Sequence, residues 1–156
     1  MESIKQLKKF WSKKKVFITG HTGFKGSWLS IILTYLNSTV DGYSLKPQKN
    51  SLFNKSMISQ KLKSNTYADI NDLIKLKKKI KACRPEIIFH LAAQPLVIKS
   101  YIEPLKTLNT NIIGTANLLE SIRNIKSIKS VVIITTDKVY KIKKNNRLYK
   151  AFDQLG

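Results

Sequence analysis

The sequence predicts a doubly wound, parallel α/β sheet with strand order 3-2-1-4-5. Three observations carry that expectation. An apolar strand, Val16-Phe17-Ile18-Thr19, runs into three glycines spaced three apart, Gly20, Gly23 and Gly26, and then into a helical stretch. Strand-type and helix-type segments alternate along the chain, the order that parallel βαβ units require. The run Ile87-Ile88-Phe89-His90-Leu91 reads as a strand covered on both faces, and the run Val131 to Thr135 as a further apolar strand that becomes an edge where its neighbours are missing.

Taken in order, residues 2–12 read as a short basic helix, so residues 1–13 form a leader and residues 14–156 the domain. Residues 16–20 are the first strand. Residues 24–36 place Phe24, Trp28, Ile31, Ile32 and Tyr35 at helical spacing and predict that face against the sheet. Val40 to Leu45 is the second strand, followed by a polar loop, Lys46 to Ser56, that contains Pro47. Thr66 to Ile70 is the third strand, and Asn71 or Asp72 caps the next helix. That helix, 72–83, turns Leu73, Leu76 and Ile80 inward, and Arg84-Pro85 stops it. The fourth strand lies within Glu86 to Ala93. Residues 103–124 read as one long helical segment with Pro104 in its first turn. The fifth strand is 131–135, and residues 141–150 are polar and basic. Right-handed crossovers then put the reversal of strand order between strands 1 and 4, and ligands at the carboxyl ends there.

Composition narrows the class. The 156 residues make one domain, 42% apolar. The single cysteine, Cys83, excludes an internal disulfide and fits a reducing compartment. It follows a helical run, where a small buried apolar residue is expected rather than a nucleophile. No run of about 18 apolar residues predicts a membrane span, and Met1 to Lys15 lacks the apolar centre of a signal peptide. The cytoplasm is the expected location, and no metal site is expected. The net charge of +20 raises a competing class, a basic nucleic-acid-binding module. The lysines are spread through every segment without an aromatic-interleaved basic motif, which favours residue usage over a dedicated nucleic-acid face.

The glycine loop carries the chemistry. A strand turning sharply into a helix leaves backbone N–H groups unpaired at the helix start, and these attract a pyrophosphate. Glycine lets the turn form and lets the phosphate approach. The domain is therefore of the Rossmann type. Its spacing, G-x-x-G-x-x-G, resembles the extended, nucleotide-sugar branch of the short-chain dehydrogenase/reductase superfamily. Asp69-Ile70, His90-Leu91-Ala92-Ala93-Gln94, Thr110 to Thr115 and Thr135 to Tyr140 follow in that branch's order. The wording of Gly20 to Trp28, of Gly42-Tyr43-Ser44-Leu45, of HLAAQPLV from His90 and of TTDK from Thr135 resembles the CDP-glucose 4,6-dehydratase family.

That resemblance implies an NAD-dependent lyase of surface-polysaccharide sugar synthesis, acting on CDP-glucose. It implies cofactor contacts from Gly20, Thr22, Gly23, Phe24, Lys25, Gly26, Asp69, Ile70, Leu91, Ala92, Ala93, Thr110 and Thr135. Lys25 is equally readable as a solvated helix-start lysine, Asp69 as a helix-start acid, and Ala92 and Ala93 as ordinary close packing. His21 reads as a polar loop residue. Gln94 and Asn111 would serve the substrate side, with a helix-surface amide the alternative for Asn111. Thr136 would hydrogen-bond the sugar C4 oxygen, Asp137 would be the acid for the leaving C6 hydroxyl, and Lys138 the base at C5; a surface Asp–Lys pair is the plainer reading. An acid at the end of strand 2 would favour NAD, but Ser44 stands there, Asp41 comes earlier and Lys46 suits a 2′-phosphate, so NADP stays open.

The family's Tyr-x-x-x-Lys is expected beyond residue 156. Tyr140 to Lys144 matches its spacing but falls in the loop directly after TTDK, and is rejected. The resemblance runs from about residue 14 onward and covers the N-terminal part of a family member. A truncated product, inactive alone, is the expectation, with the family's homodimer doubtful. Another extended-branch enzyme, an epimerase or a different dehydratase, is the alternative within the fold. Lys138 and HLAAQPLV argue against it.

Overall fold

The computed structural model describes residues 2–136, 139–141 and 148–155. Its elements are α1 (Glu2–Trp11), β1 (Lys15–Thr19), α2 (Phe24–Tyr35), β2 (Thr39–Ser44), α3 (Leu52–Lys55), a 3₁₀ turn (Ile58–Gln60), β3 (Ser64–Tyr67), α4 (Leu73–Cys83), β4 (Ile87–His90), α5 (Val97–Ile102), α6 (Pro104–Leu108), a π-turn (Asn109–Ile113), α7 (Gly114–Ile122) and β5 (Ser130–Ile133). The five strands form one sheet in the order β3-β2-β1-β4-β5, and every pairing is parallel, as the sequence predicts.

Side chains alternate across a strand, and β1 shows the result. Val16 and Ile18 enter one core with Leu33, Val40, Phe53 and Ile58. Phe17 enters the other, with Tyr43, Leu76, Ile80, Ile88 and Leu118. The sheet is thus covered on both faces at its centre. Cys83 is buried in the second core, and burial pushes its thiol up to about 11. The leader helix is attached to the domain: Trp11 packs on the first core, and Ser38 Oγ donates to the Trp11 carbonyl at 2.8 Å.

The structure corrects two local readings and adds to a third. In α2 the face turned to the sheet is Gly26, Ser27, Ser30 and Leu33, while Phe24 is 72% exposed and Tyr35 62%. Close approach selects small residues here. The two hydroxyls are satisfied within the helix, Ser27 Oγ donating to Gly23 O at 2.7 Å and Ser30 Oγ to Gly26 O at 2.8 Å. Trp28 and Ile32 also face outward; of the expected face only Ile31 packs partly on the core.

β3 begins at Ser64 and ends at Tyr67 rather than running over 66–70. Register explains the shift. Ser64 pairs with Asp41, and its hydroxyl donates to the Asp41 carboxylate. Ile70 then leaves the strand to pack beneath α7, where a Cβ on Gly114 would come within 2.6 Å of it.

The helical segment expected over 103–124 is present as Pro104–Ile122, helical in backbone throughout and widened at one point. α6 and α7 are separated by the π-turn, and α5, unforeseen, precedes them. Glu103, at φ −127° and ψ 62°, divides α5 from α6, as a residue before proline is pushed out of the helical region. β5 is half-exposed and pairs only with β4 among the described residues.

Candidate functional site

The carboxyl ends of β1, β2 and β4 converge on the glycine loop. Gly20 takes the left-handed region at φ 74°, and a Cβ there would lie 2.7 Å from the Ala92 nitrogen and the Leu91 carbonyl. A Cβ on Gly26 would lie 2.2 Å from the Gly20 carbonyl oxygen. Gly23 is the N-cap of α2, and no side chain caps that helix start. Backbone therefore lines the space in front of the first turn of α2, the surface a phosphate needs. Lys25 and Phe24 stand exposed at the same turn. Thr22 faces β2 instead. Its hydroxyl donates to Leu45 O at 3.0 Å and therefore accepts from Ser44 Oγ at 2.8 Å.

His21, which the sequence reads as a polar loop residue, is fully buried. Its ring fills the space above Gly42, where a Cβ would come within 2.4 Å of it, and meets Phe53 edge-on at 5.2 Å. Asn65 Nδ2 donates to Ser59 O at 2.9 Å, which leaves Oδ1 to accept from His21 Nε2 at 3.1 Å. Burial lowers the His21 pKa to about 4. The loop is thereby pinned to β2 and β3.

β4 ends in a polar network. His90 is buried, with Nδ1 2.6 Å from Thr19 Oγ1 and Nε2 3.0 Å from Thr115 Oγ1. Burial lowers its pKa to about 4. Ala92 N–H donates to Thr19 Oγ1 at 3.3 Å. Beyond it Gln94 is held by the π-turn: its N–H donates to Asn111 Oδ1 at 2.8 Å, and Asn111 Nδ2 donates to Gln94 O at 3.2 Å. The Gln94 side-chain amide donates to Thr107 Oγ1 at 2.9 Å and to Leu96 O at 3.1 Å. Gln94 and Asn111 thus hold each other. Thr110 sits half-buried in the same π-turn, a helix distortion frequent at functional sites.

At the β3 end Asp69 is exposed, and its carboxylate accepts from the Asn71 N–H at 2.9 Å. Its carbonyl accepts from the Tyr43 hydroxyl at 3.0 Å. Ile70 is buried, and Asn117 Nδ2 reaches its carbonyl at 3.4 Å. Leu91 and Ala92 are half-buried and Ala93 exposed in the β4 exit. Thr135 and Thr136 are exposed just past β5, which pairs with β4. Asp137 and Lys138 lie outside the described residues.

The structure brings the glycine loop and the β4 exit into contact, and gives supporting roles to residues that the sequence reading named without one. Thr19, His21, Gly42, His90 and Thr115 organise the site from beneath. One signal for them exists in the sequence: a buried strand ending in a polar residue, Thr19 and again His90, needs a partner. Among the described residues no group of three or more His, Cys, Asp or Glu could hold a metal, and no helix is long and apolar enough to cross a membrane.

Residues 17–145 match the family model described as GDP-mannose 4,6 dehydratase. The chain is 49% identical over 134 residues to CDP-glucose 4,6-dehydratase of Salmonella typhimurium, covering 85% of this chain and 37% of that protein. It is 31% identical over 130 residues to UDP-glucose 4-epimerase of Mycoplasma genitalium, covering 83% of this chain and 38% of that protein. Among solved structures, Pal from Bacillus thuringiensis superposes with a TM-score of 0.79 at 26% identity, over 90% of this chain and 45% of that one. UDP-glucose 4-epimerase from Brucella ovis in complex with NAD superposes with a TM-score of 0.77 at 19% identity, over 92% of this chain and 42% of that one, a likeness of fold. The chain spans less than two fifths of the length of these two curated relatives.

Proposed function

The chain belongs to the GDP-mannose 4,6-dehydratase family of nucleotide-sugar enzymes, and from that premise we propose that it is the cofactor-binding part of an NAD-dependent CDP-glucose 4,6-dehydratase. The observation that carries the substrate is the 49% identity to the Salmonella CDP-glucose enzyme, against 31% to the Mycoplasma epimerase and 31% to the GDP-mannose dehydratase of Vibrio cholerae. The glycine cradle supports the cofactor. Gly20 and Gly26 let the loop backbone pack closely on the β4 exit and on α2, and the α2 start, uncapped by any side chain, suits a pyrophosphate.

NAD, when bound, would take the hydride from C4 of the sugar, which makes the C5 proton acidic, and would return it to C6 after water has left. The chain's residues do the rest in this reading. Gly20, Gly23 and Gly26 hold the phosphates, with Lys25 beside them. Thr22 would contact the cofactor and Asp69 its adenine, while Ser44 stands where an acid would favour NAD. Leu91 and the small Ala92 and Ala93 would let the cofactor lie against the end of β4, and Gln94 and Asn111, which hold each other, would serve the substrate side. Thr136 hydrogen-bonds the C4 oxygen. Asp137 protonates the departing C6 hydroxyl, and Lys138 takes the C5 proton. A lysine acts as such a base only where burial or a neighbouring cation lowers its pKa.

Two measurements test this. Titration calorimetry of the chain with NAD and with NADP should give saturable NAD binding; no heat with NAD would overturn the cofactor reading, and tighter NADP binding would reassign it. A chimera with residues 17–145 in place of the matching segment of the Salmonella enzyme should convert CDP-glucose to a 4-keto-6-deoxy product. A chimera that binds NAD yet yields no product would sink the catalytic reading.

A further inference from the structure

We propose that His90 is a positioning residue: held in its Nε2–H tautomer between Thr19 and Thr115, it locks the β4 exit loop to the π-turn that presents Asn111. Its relevance to a dehydratase rests on the reading above; the proton arrangement does not.

The arrangement follows from counting protons. Thr115 Oγ1 lies 2.7 Å from the Asn111 carbonyl, which can only accept. The Thr115 proton is therefore committed there, and its oxygen must accept from His90 Nε2–H at 3.0 Å. On the other side Thr19 Oγ1 accepts from the Ala92 N–H at 3.3 Å and directs its own proton at His90 Nδ1, 2.6 Å away. The Thr115 end demands Nε2–H, a neutral ring carries one N–H, and Nδ1 is therefore left as the acceptor for the Thr19 hydroxyl. The reverse tautomer would leave Thr115 without a donor. Burial keeps the ring neutral.

Donation thus runs one way, from Ala92 through Thr19, His90 and Thr115 to the Asn111 carbonyl. Asn111 closes the circuit through its side chain, which grips both backbone groups of Gln94. Residues 90–94 and 111–115 are locked by a ring of bonds in which each hydroxyl and the imidazole both gives and takes. Buried networks of this kind, fully satisfied, fix a unique geometry.

The chain has two histidines, so imidazole nitrogen NMR of the uniformly labelled chain resolves both rings. His90 should show a protonated Nε2 and a bare Nδ1; the opposite tautomer would overturn the proposal. Amide exchange then reads the positioning. In His90→Asn, which keeps an acceptor near Thr19 but falls short of Thr115, the Gln94 amide should exchange about tenfold faster or more, while the Phe17 and Ile18 amides hold their rates. Thr115→Val should do the same without touching the imidazole, and keeps the test open if His90→Asn does not fold. Thr115→Ser should restore the parent rate. An unchanged Gln94 amide in Thr115→Val, or equal acceleration of every amide, would refute a positioning role. Loss of NAD binding with the ring and its exchange pattern intact would count against the functional reading alone.

Discussion

Thr19 and His90 are register partners across the β1–β4 ladder, and their side chains meet at 2.6 Å where both strands end. The two central strands are thus tied by a side-chain bond as well as by their backbone. The tie lies directly beneath the glycine loop, because Gly20 follows Thr19 and touches Leu91 and Ala92.

The buried imidazoles make stability depend on pH. His21 and His90 both fall from 6.5 to about 4 on folding. Between those values the unfolded chain binds protons that the native chain does not, so stability is full above about pH 6.5 and falls as pH drops toward 4. Each ring removes about 1.4 kcal/mol per pH unit in that window. Urea unfolding at pH 7.5, 6 and 5 should show the decline. Equal stability at all three would mean the rings are charged or exposed in the native chain.

Alanine scanning of the glycines should give graded losses. Gly26→Ala drives a Cβ to 2.2 Å from a backbone oxygen, whereas Gly23→Ala meets the same oxygen at 3.3 Å. The first should cost about 2 kcal/mol or more and the second less than about 1 kcal/mol. NAD affinity should fall at least about tenfold in Gly26→Ala. Thermal melts and calorimetry check both, and equal effects at the two positions would contradict the crowding described.

The orientation of α2 has its own test. Ser30 is fully buried against the sheet, and Ile32 is 50% exposed. Ser30→Leu should destabilise by about 1–3 kcal/mol through overpacking. Ile32→Gln should change stability by less than about 0.5 kcal/mol. The opposite ranking in chemical denaturation would restore the apolar face to the sheet.

Cys83 should resist thiol reagents. Its sulfur is buried and its pKa stands at about 11, chiefly through burial, so little thiolate exists at neutral pH. A disulfide reagent should react at the rate of unfolding, and urea should abolish the protection. Rapid native labelling would show an open path to α4.

Strand order was legible because it follows from the glycine loop, the apolar β4 and the handedness of crossovers. The direction of α2 was not. Periodicity ranks faces by size, and the sheet selected Gly26, Ser27 and Ser30 for closeness. His90 looked like one letter of an apolar strand, since its partner Thr19 is 71 residues away and only the register joins them. His21 was hidden for the same reason: Gly42 and Asn65, which make its pocket, come from two other strands. The glycine and β4-exit residues were legible as motifs, but the bonds between Gln94 and Asn111 depend on a π-turn that no spacing rule announces.

That turn holds information of an unusual kind. An α-helix advances about 100° per residue, and one wide turn resets the phase of everything after it. Before the reset the helix addresses Gln94 through Thr107; after it, Gly114 addresses Ile70 and Leu118 enters the core. A turn closed by i→i+5 bonds holds one residue more than an α turn, and the contacts on its two sides, Thr107 with Gln94 and Gly114 with Ile70, are made around that surplus residue. At this point the chain encodes a count of residues more strictly than their identities.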